Sequence, residues 1–228
     1  MAGSAIIRHK EPGAKTRLEE MQKAVDFVEK NGVVPFYVVL MGCMAERLLD
    51  SVKKDFPVID FVVGTFGKSK FGDIISAAEE HKKGFKIEED SEYTFPKISY
   101  EEQAFSTFVP IMHGCNNFCT YCIVPYVRGR EVSRPVEQIL AEIDFLSKRN
   151  VKEITLLGQN VNAYRCKDES VEGGELNFPK LLKKISAHLD ETSSSIRWIR
   201  FESSNPNDFS DELIEMIVND SHVCHGFH

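Results

Sequence analysis

The feature that most constrains the fold is a recurring order, an apolar run of strand length followed by a segment of helical period. Residues 35–41 and 58–63 are apolar runs suited to buried strands, and helical patterns follow them over 44–54 and 68–82. The order resumes with strands at 105–112, 153–157 and 196–201. Helices are expected at 135–148, 178–189 and 210–218. A capping-box pair, Thr16 and Glu19, precedes Leu18, Met21, Val25 and Val28 at helical spacing, and Asn31-Gly32 ends that first helix. Strand–helix alternation of this kind calls for a parallel sheet with helices outside it. The fold class is therefore α/β.

Residues 84–104 interrupt the pattern with acidic residues, Pro96, Tyr93 and Tyr100 and no clear period, as an interdomain linker does. The chain accordingly divides into 1–83, a linker 84–104, and 105–228. A closed barrel of eight strands needs about 200 residues or more. The second region is too short for one, and a further strand is expected to begin at 222–228. The 158–174 stretch is expected to be a polar loop.

Six cysteines are too few for a disulfide scaffold, and three of them, Cys115, Cys119 and Cys122, fall on one loop after a strand. Cys43, Cys166 and Cys224 stand apart. Soft thiolates at such spacing select an iron–sulfur cluster or zinc. Zinc would need a fourth ligand, for which His113 or Cys166 is available; three metal-free thiols are the remaining alternative. A four-iron cluster held by three thiolates leaves one iron open to a substrate. The net charge of −7 argues against a stand-alone nucleic-acid binder, yet Arg128, Arg130 and Arg134 form a basic patch just after the cysteines. That patch suits phosphates, with ion pairs to Glu131 and Glu137 as the structural alternative. Carboxylate pairs for acid–base hydrolysis and a Ser–His–Asp pattern are both missing from the sequence. No apolar run approaches the roughly 18–20 residues of a membrane span, and 1–10 lacks a secretory signal, so a cytoplasmic location is expected.

Cys115-x-x-x-Cys119-x-Tyr121-Cys122 resembles the cluster motif of the radical S-adenosylmethionine (SAM) enzymes. More narrowly, Cys119-Thr-Tyr-Cys-Ile-Val-Pro-Tyr-Val-Arg-Gly-Arg-Glu-Val-Ser-Arg-Pro135 is similar to the tRNA methylthiotransferases, as are Leu156-Leu-Gly-Gln-Asn-Val-Asn-Ala-Tyr164 and Arg200-Phe-Glu-Ser-Ser-Asn-Pro206. The resemblance implies a small N-terminal α/β domain followed by the first half of a partial (βα) barrel. It implies a [4Fe–4S] cluster on Cys115, Cys119 and Cys122 whose open iron chelates SAM, and a radical that attacks C2 of N6-isopentenyladenosine 37 in tRNA, where a methylthio group is inserted. Tyr121, Gly158, Gln159 and Asn160 would adjoin SAM, and Arg128, Arg130 and Arg134 would contact RNA. A flavodoxin-type electron donor and a monomeric state are also implied.

Alternatives are a methylthiotransferase for another tRNA adenosine or a ribosomal protein, and an inactive iron–sulfur module. The family's auxiliary [4Fe–4S] cluster takes three cysteines. Gly42-Cys43-Met44-Ala45 matches one position, Ala5-Ile6-Ile7-Arg8 carries no cysteine where a second is expected, and the first has no counterpart. The resemblance thus implies a fragment lacking both ends, and methylthiolation is not expected from this chain alone.

Overall fold

Apolar β runs pair in parallel in both halves of the chain. A computed structural model describes Glu19, Lys23, Asp26, Lys30 and residues 37–48, 52–57, 59–80, 93–95, 101, 103–168 and 173–226. It divides into two compact units, Met1–Glu92 and Tyr93–His228.

In the first unit, β1 (Val39–Met41) pairs in parallel with β2 (Phe61–Val63), Val39 opposite Phe61. Helices α1 (Cys43–Leu48), α2 (Val52–Asp55) and α3 (Phe71–Glu79) accompany them, with a 3₁₀ turn at Gly67–Lys70 before α3. Because side chains alternate along a strand, the pair has two apolar faces. Val38, Leu40, Ala45 and Ile59 form one cluster, and Phe61, Val63, Ile74 and Ala77 the other. The N-terminal helix expected from Thr16 lies largely outside the described residues, of which Glu19, Lys23, Asp26 and Lys30 are helical. Asn31-Gly32 and Ala5–Arg8 lie outside them too.

The second unit is built on a parallel sheet ordered β3 (Ser106–Pro110), β6 (Glu153–Leu157), β9 (Trp198–Phe201). Val109, Leu156 and Phe201 are in register, and Thr107, Ile154 and Ile199 lie two residues back on the same face. That face meets helix α5 (Val136–Lys148), which buries Val136, Ile139, Ile143 and Leu146, and helix α6 (Phe178–Glu191), which buries Phe178, Leu181, Leu182, Ile185 and Leu189. Phe178 meets Phe201 edge-on at 5.1 Å between ring centroids. Asn177 caps α6 by accepting from the Lys180 amide, and Ser210 caps α7 (Asp211–Asn219) by accepting from that of Leu213, each cap contributing about 1 kcal/mol.

Three local expectations need correction. The run 105–112 is two strands, because after Pro110 the chain leaves β3 and β4 (Met112–His113) turns to pair antiparallel with β5 (Val132–Ser133). The 158–174 stretch is not all loop. It holds a 3₁₀ turn at Val161–Ala163 and the strand β7 (Arg165–Lys167), which pairs antiparallel with β8 (Glu175–Asn177). Tyr93–Phe95 lie in the second unit, with the Tyr93 ring stacked 3.5 Å from His113. At the chain's end, Val223 makes a parallel bridge with Ile199, extending the sheet by one partner, while Phe227 and His228 lie outside the described residues. Among the described residues, no helix is long and apolar enough to cross a membrane.

Candidate metal centre

The cysteine loop is zipped shut at its neck. Met112 pairs with Ser133 and His113 with Val132, the Cys115 amide donates to the Gly129 carbonyl at 3.2 Å, and Asn116 and Glu131 bond reciprocally. The Asn116 amide donates to Glu131 Oε1 at 3.0 Å and the Glu131 amide to Asn116 Oδ1 at 3.3 Å. Glu131 is thus a loop clamp on Asn116, whereas an ion pair with the arginines was the alternative that the sequence offered. Gly114 sits where the strands of the neck come closest. Its φ is +77°, and a Cβ there would overlap the Arg130 carbonyl and lie 2.7 Å from that of Gly129. Only glycine fits such a site.

Beyond the neck, Cys115 is buried and Cys119 and Cys122 are half-buried, all three as free thiols. A turn closed by the Cys122 amide on the Cys119 carbonyl, 2.9 Å, leads into helix α4 (Val124–Val127). Burial pushes the Cys115 thiol up first, and the charges of Glu131, Cys122 and Cys119 push it further. Burial and the negative charge around it thus disfavour a bare Cys115 thiolate and favour one bound to a cationic group. Among the described residues no three His, Cys, Asp or Glu side chains are grouped around a single ion. The donor set fits a multi-iron cluster, in which each thiolate takes a different iron. Neither expected zinc partner is placed as a fourth ligand: His113 is buried against Tyr93, and Cys166 lies on β7 with its thiol donating to the Lys167 carbonyl.

The carboxyl end of β6 meets this loop, as parallel sheets bring their loops together at that edge. Gln159 Oε1 accepts from the Gly114 amide at 2.6 Å, so the Gly-Gln-Asn segment and the cysteine loop are held together across 45 positions. Gly158 is required by space, since a Cβ would overlap the Met112 side chain and lie 3.2 Å from Val161 Cγ1. Asn160 donates to Asp208 Oδ2 at 2.6 Å, while Asn162 donates to the Asn205 carbonyl. Asn160 Oδ1, Asn162 Oδ1 and Ser204 Oγ are buried without hydrogen-bond partners among the described residues. Such groups ordinarily have a partner, and three at one end of a sheet suit a polar ligand. A cavity of about 630 Å³ opens there, lined among others by Asn116, Glu131, Asn162, Arg165, Asn177 and Asp208. Neither this cavity nor its hairpin wall was expected from the sequence. The asparagines at 160, 162, 205 and 207 were the available signal.

The other expected site residues separate. Tyr121 is 90% exposed, its ring open on the cluster loop. Cys43 is half-buried as the first residue of α1. Arg128 is half-buried, and Arg130 is exposed. Arg134 is corrected: it is 8% exposed, pairs with Glu142 at 2.5 Å and donates to the Pro110 carbonyl at 3.2 Å. The Tyr164 hydroxyl donates to the Arg134 carbonyl at 2.7 Å, with the phenol buried and its pKa pushed well up by that burial. Arg134 therefore braces the neck from below and is not available to phosphate.

Breaking that brace has an expected signature. Glu142→Leu leaves the Arg134 charge buried and uncompensated, a loss of about 3–5 kcal/mol, whereas adding Arg134→Met recovers most of it. Urea unfolding of the single and double variants checks this. Equal destabilisation by both would show that the pair is not acting as a buried ion pair.

Residues 109–228 match the family described as the Radical SAM superfamily. The tRNA-2-methylthio-N(6)-dimethylallyladenosine synthase of Treponema denticola is 51% identical over 204 residues, covering 85% of this chain and 45% of that protein. The protein of the same name from Treponema pallidum (strain Nichols) is 48% identical, with coverage of 85% and 44%. One from Bacteroides fragilis (strain YCH46) is 44% identical, with coverage of 84% and 41%. The chain thus spans less than half the length of these curated relatives. Among solved structures, the radical S-adenosylmethionine methyltransferase TsrM from Kitasatospora setae with cobalamin and [4Fe-4S] cluster bound superposes with a TM-score of 0.62 at 13% identity. It covers 92% of this chain and 45% of its own, a likeness of fold.

Proposed function

The chain belongs to the radical SAM superfamily, and on that premise we propose that it serves methylthiolation at C2 of N6-isopentenyladenosine 37 in tRNA. The observation that carries the reading is the bond from the Gly114 amide to Gln159 Oε1, which joins the cysteine loop to the Gly-Gln-Asn segment at one end of the sheet. Identity of 44–51% to synthases of that name supports the substrate assignment over another tRNA adenosine or a ribosomal protein.

Cys115, Cys119 and Cys122 would hold a [4Fe–4S] cluster. When bound, it supplies with SAM a one-electron reductive cleavage that yields a hydrogen-abstracting carbon radical. The chain's own part is placement. The neck fixes where the three thiolates sit, Gln159 fixes the loop against β6, and Gly158 lets Met112 pack beneath it. The unpartnered oxygens of Asn160 and Asn162 offer acceptors at the same end of the sheet for the N–H and O–H donors of SAM, its adenine amino group and ribose hydroxyls among them. Tyr121 presents an open ring for adenine. The cavity of about 630 Å³ is within the size range of small-ligand sites. The electron donor is of the flavodoxin type, and the chain acts as a cytoplasmic monomer. Cys43 is the one cysteine of residues 1–92, so an auxiliary cluster there needs thiolates that this segment does not supply.

The test is a graft. Residues 93–228 replace the corresponding segment of the Treponema denticola relative, and adenosine 37 is analysed by mass spectrometry in tRNA from a methylthiotransferase-null strain. The 2-methylthio product is expected from the graft and not from its Cys119→Ala form. An iron-loaded graft that makes no product would overturn the reading.

A further inference from the structure

The cysteine loop carries a second feature that cluster binding does not use. Phe118 is held at φ +46°, in the left-handed region, where a bulky residue is strained. The strain turns its ring outward, to 38% exposure, although an apolar ring gains nothing from facing water. There it meets Tyr126 of α4 edge-on, with centroids 5.8 Å apart and planes at 88°. The guanidinium of Arg130 lies over the same ring, 4.5 Å from its centre. Tyr126 is itself 74% exposed and has no other partner among the described residues. Arg130 makes no ion pair among the described residues, because Glu131 beside it is taken by Asn116. The result is a three-part stack of cation and rings open to solvent.

We infer that Phe118, Tyr126 and Arg130 form a stacking platform for unpaired bases of RNA. The inference deepens the RNA-directed reading above and rests on it. The chemistry singles out a base over other partners. Open ring faces and an arginine plane are what splayed bases stack on, and a base offers a flat π-face in return. The charge agrees. The chain carries −7 overall, yet beside the platform Arg128 and Arg130 outnumber Glu131, Arg134 being neutralised by Glu142. Positive charge is therefore concentrated where a polyanion would have to pass. Paired helical RNA would not use the platform, since its bases are stacked on one another already. The stack begins at Phe118, next to Cys119, and runs outward to Tyr126, so it would hold a neighbouring loop base and leave the reacting adenosine to the cavity side.

The test uses this chain and a fluorescein-labelled RNA hairpin with an unpaired loop, compared with a fully paired duplex of the same length, followed by polarisation. The hairpin is expected to bind tighter than the duplex. Tyr126→Ala and Tyr126→Leu should each weaken hairpin binding by about 5- to 100-fold, the loss of one base–aromatic stack, while Tyr126→Phe stays within about twofold. Arg130→Gln should lower the salt slope by about 0.7, one single-strand phosphate contact. Hairpin affinity unchanged in both Tyr126→Ala and Tyr126→Leu overturns the inference, as does an equal preference for duplex. Altered sedimentation of Tyr126→Ala with unchanged RNA affinity assigns the patch to a second copy of the chain instead, and overturns it too. A graft without methylthio product, alongside intact stacking here, removes the reaction and leaves the platform; product with no Tyr126 effect does the reverse.

Discussion

Gly114→Ala is expected to abolish cluster loading without touching a single thiol. The added Cβ overlaps the Arg130 carbonyl, and its other close neighbours, the Arg130 carbonyl carbon and the Gly129 carbonyl oxygen, are backbone too, so no side chain can rotate out of the way. The residue also sits at φ +77°, where alanine is strained whatever the space. The neck must open to relieve both. That breaks the Cys115–Gly129 bond and the Gly114–Gln159 bond, and with them the fixed position of the first thiolate. Iron bound after anaerobic reconstitution should fall to background. Circular dichroism should still report the sheet and helices, because Val109, Leu156 and Phe201 are held by the β3–β6–β9 pairing and by α5 and α6. Normal iron content in this variant would show that the neck does not set the cluster site. Gly114→Ser should behave the same way, while Asn116→Ala, which loosens the neck without a clash, should lose iron only in part.

The second large effect concerns the cysteines as a unit. Each supplies one thiolate to one cluster, so alanine at Cys115, Cys119 or Cys122 should remove the broad absorbance near about 400 nm that such clusters show. Partial retention is not expected from any of the three. Cys43→Ala should leave iron content unchanged, since Cys43 lies in the first unit and has no partner cysteine within it. A loss of about four irons in that variant, the content of one [4Fe–4S] cluster, would reveal a second ligand set. Spectra of the four variants, prepared side by side, separate these outcomes.

The parallel strands were legible in the sequence because each carries its own signal. Glu153–Leu157 is a short run of β-branched and aliphatic residues, and Val136, Ile139, Ile143 and Leu146 repeat at helical spacing, so both elements stand close to where spacing puts them. The three cysteines were legible for the same reason, being neighbours on one loop. What was lost involves contacts across long stretches of chain. The β7–β8 hairpin has only three residues per strand, with Leu176 its one fully buried side chain, and gives almost no alternation to read. Gln159 reaches Gly114 across 45 positions, and neither residue signals the other. Arg134 was misread because it stands in line with Arg128 and Arg130. The turn from β5 into α5 sends it inward to Glu142, five residues further along the helix than Glu137, the alternative partner read from the sequence. Phe118 and Tyr126 were passed over because their meaning lies in exposure, which periodicity does not report.

The central claim is that one loop of this chain holds a four-iron cluster by three thiolates and joins it to the carboxyl end of a parallel sheet. Mössbauer spectroscopy of the chain reconstituted anaerobically with ⁵⁷Fe tests it most directly. The account predicts about four irons per chain, all in the [4Fe–4S] form, and none in the Cys119→Ala variant prepared alongside. Mononuclear iron in the unaltered chain, or a zinc-filled site that excludes iron, would contradict it.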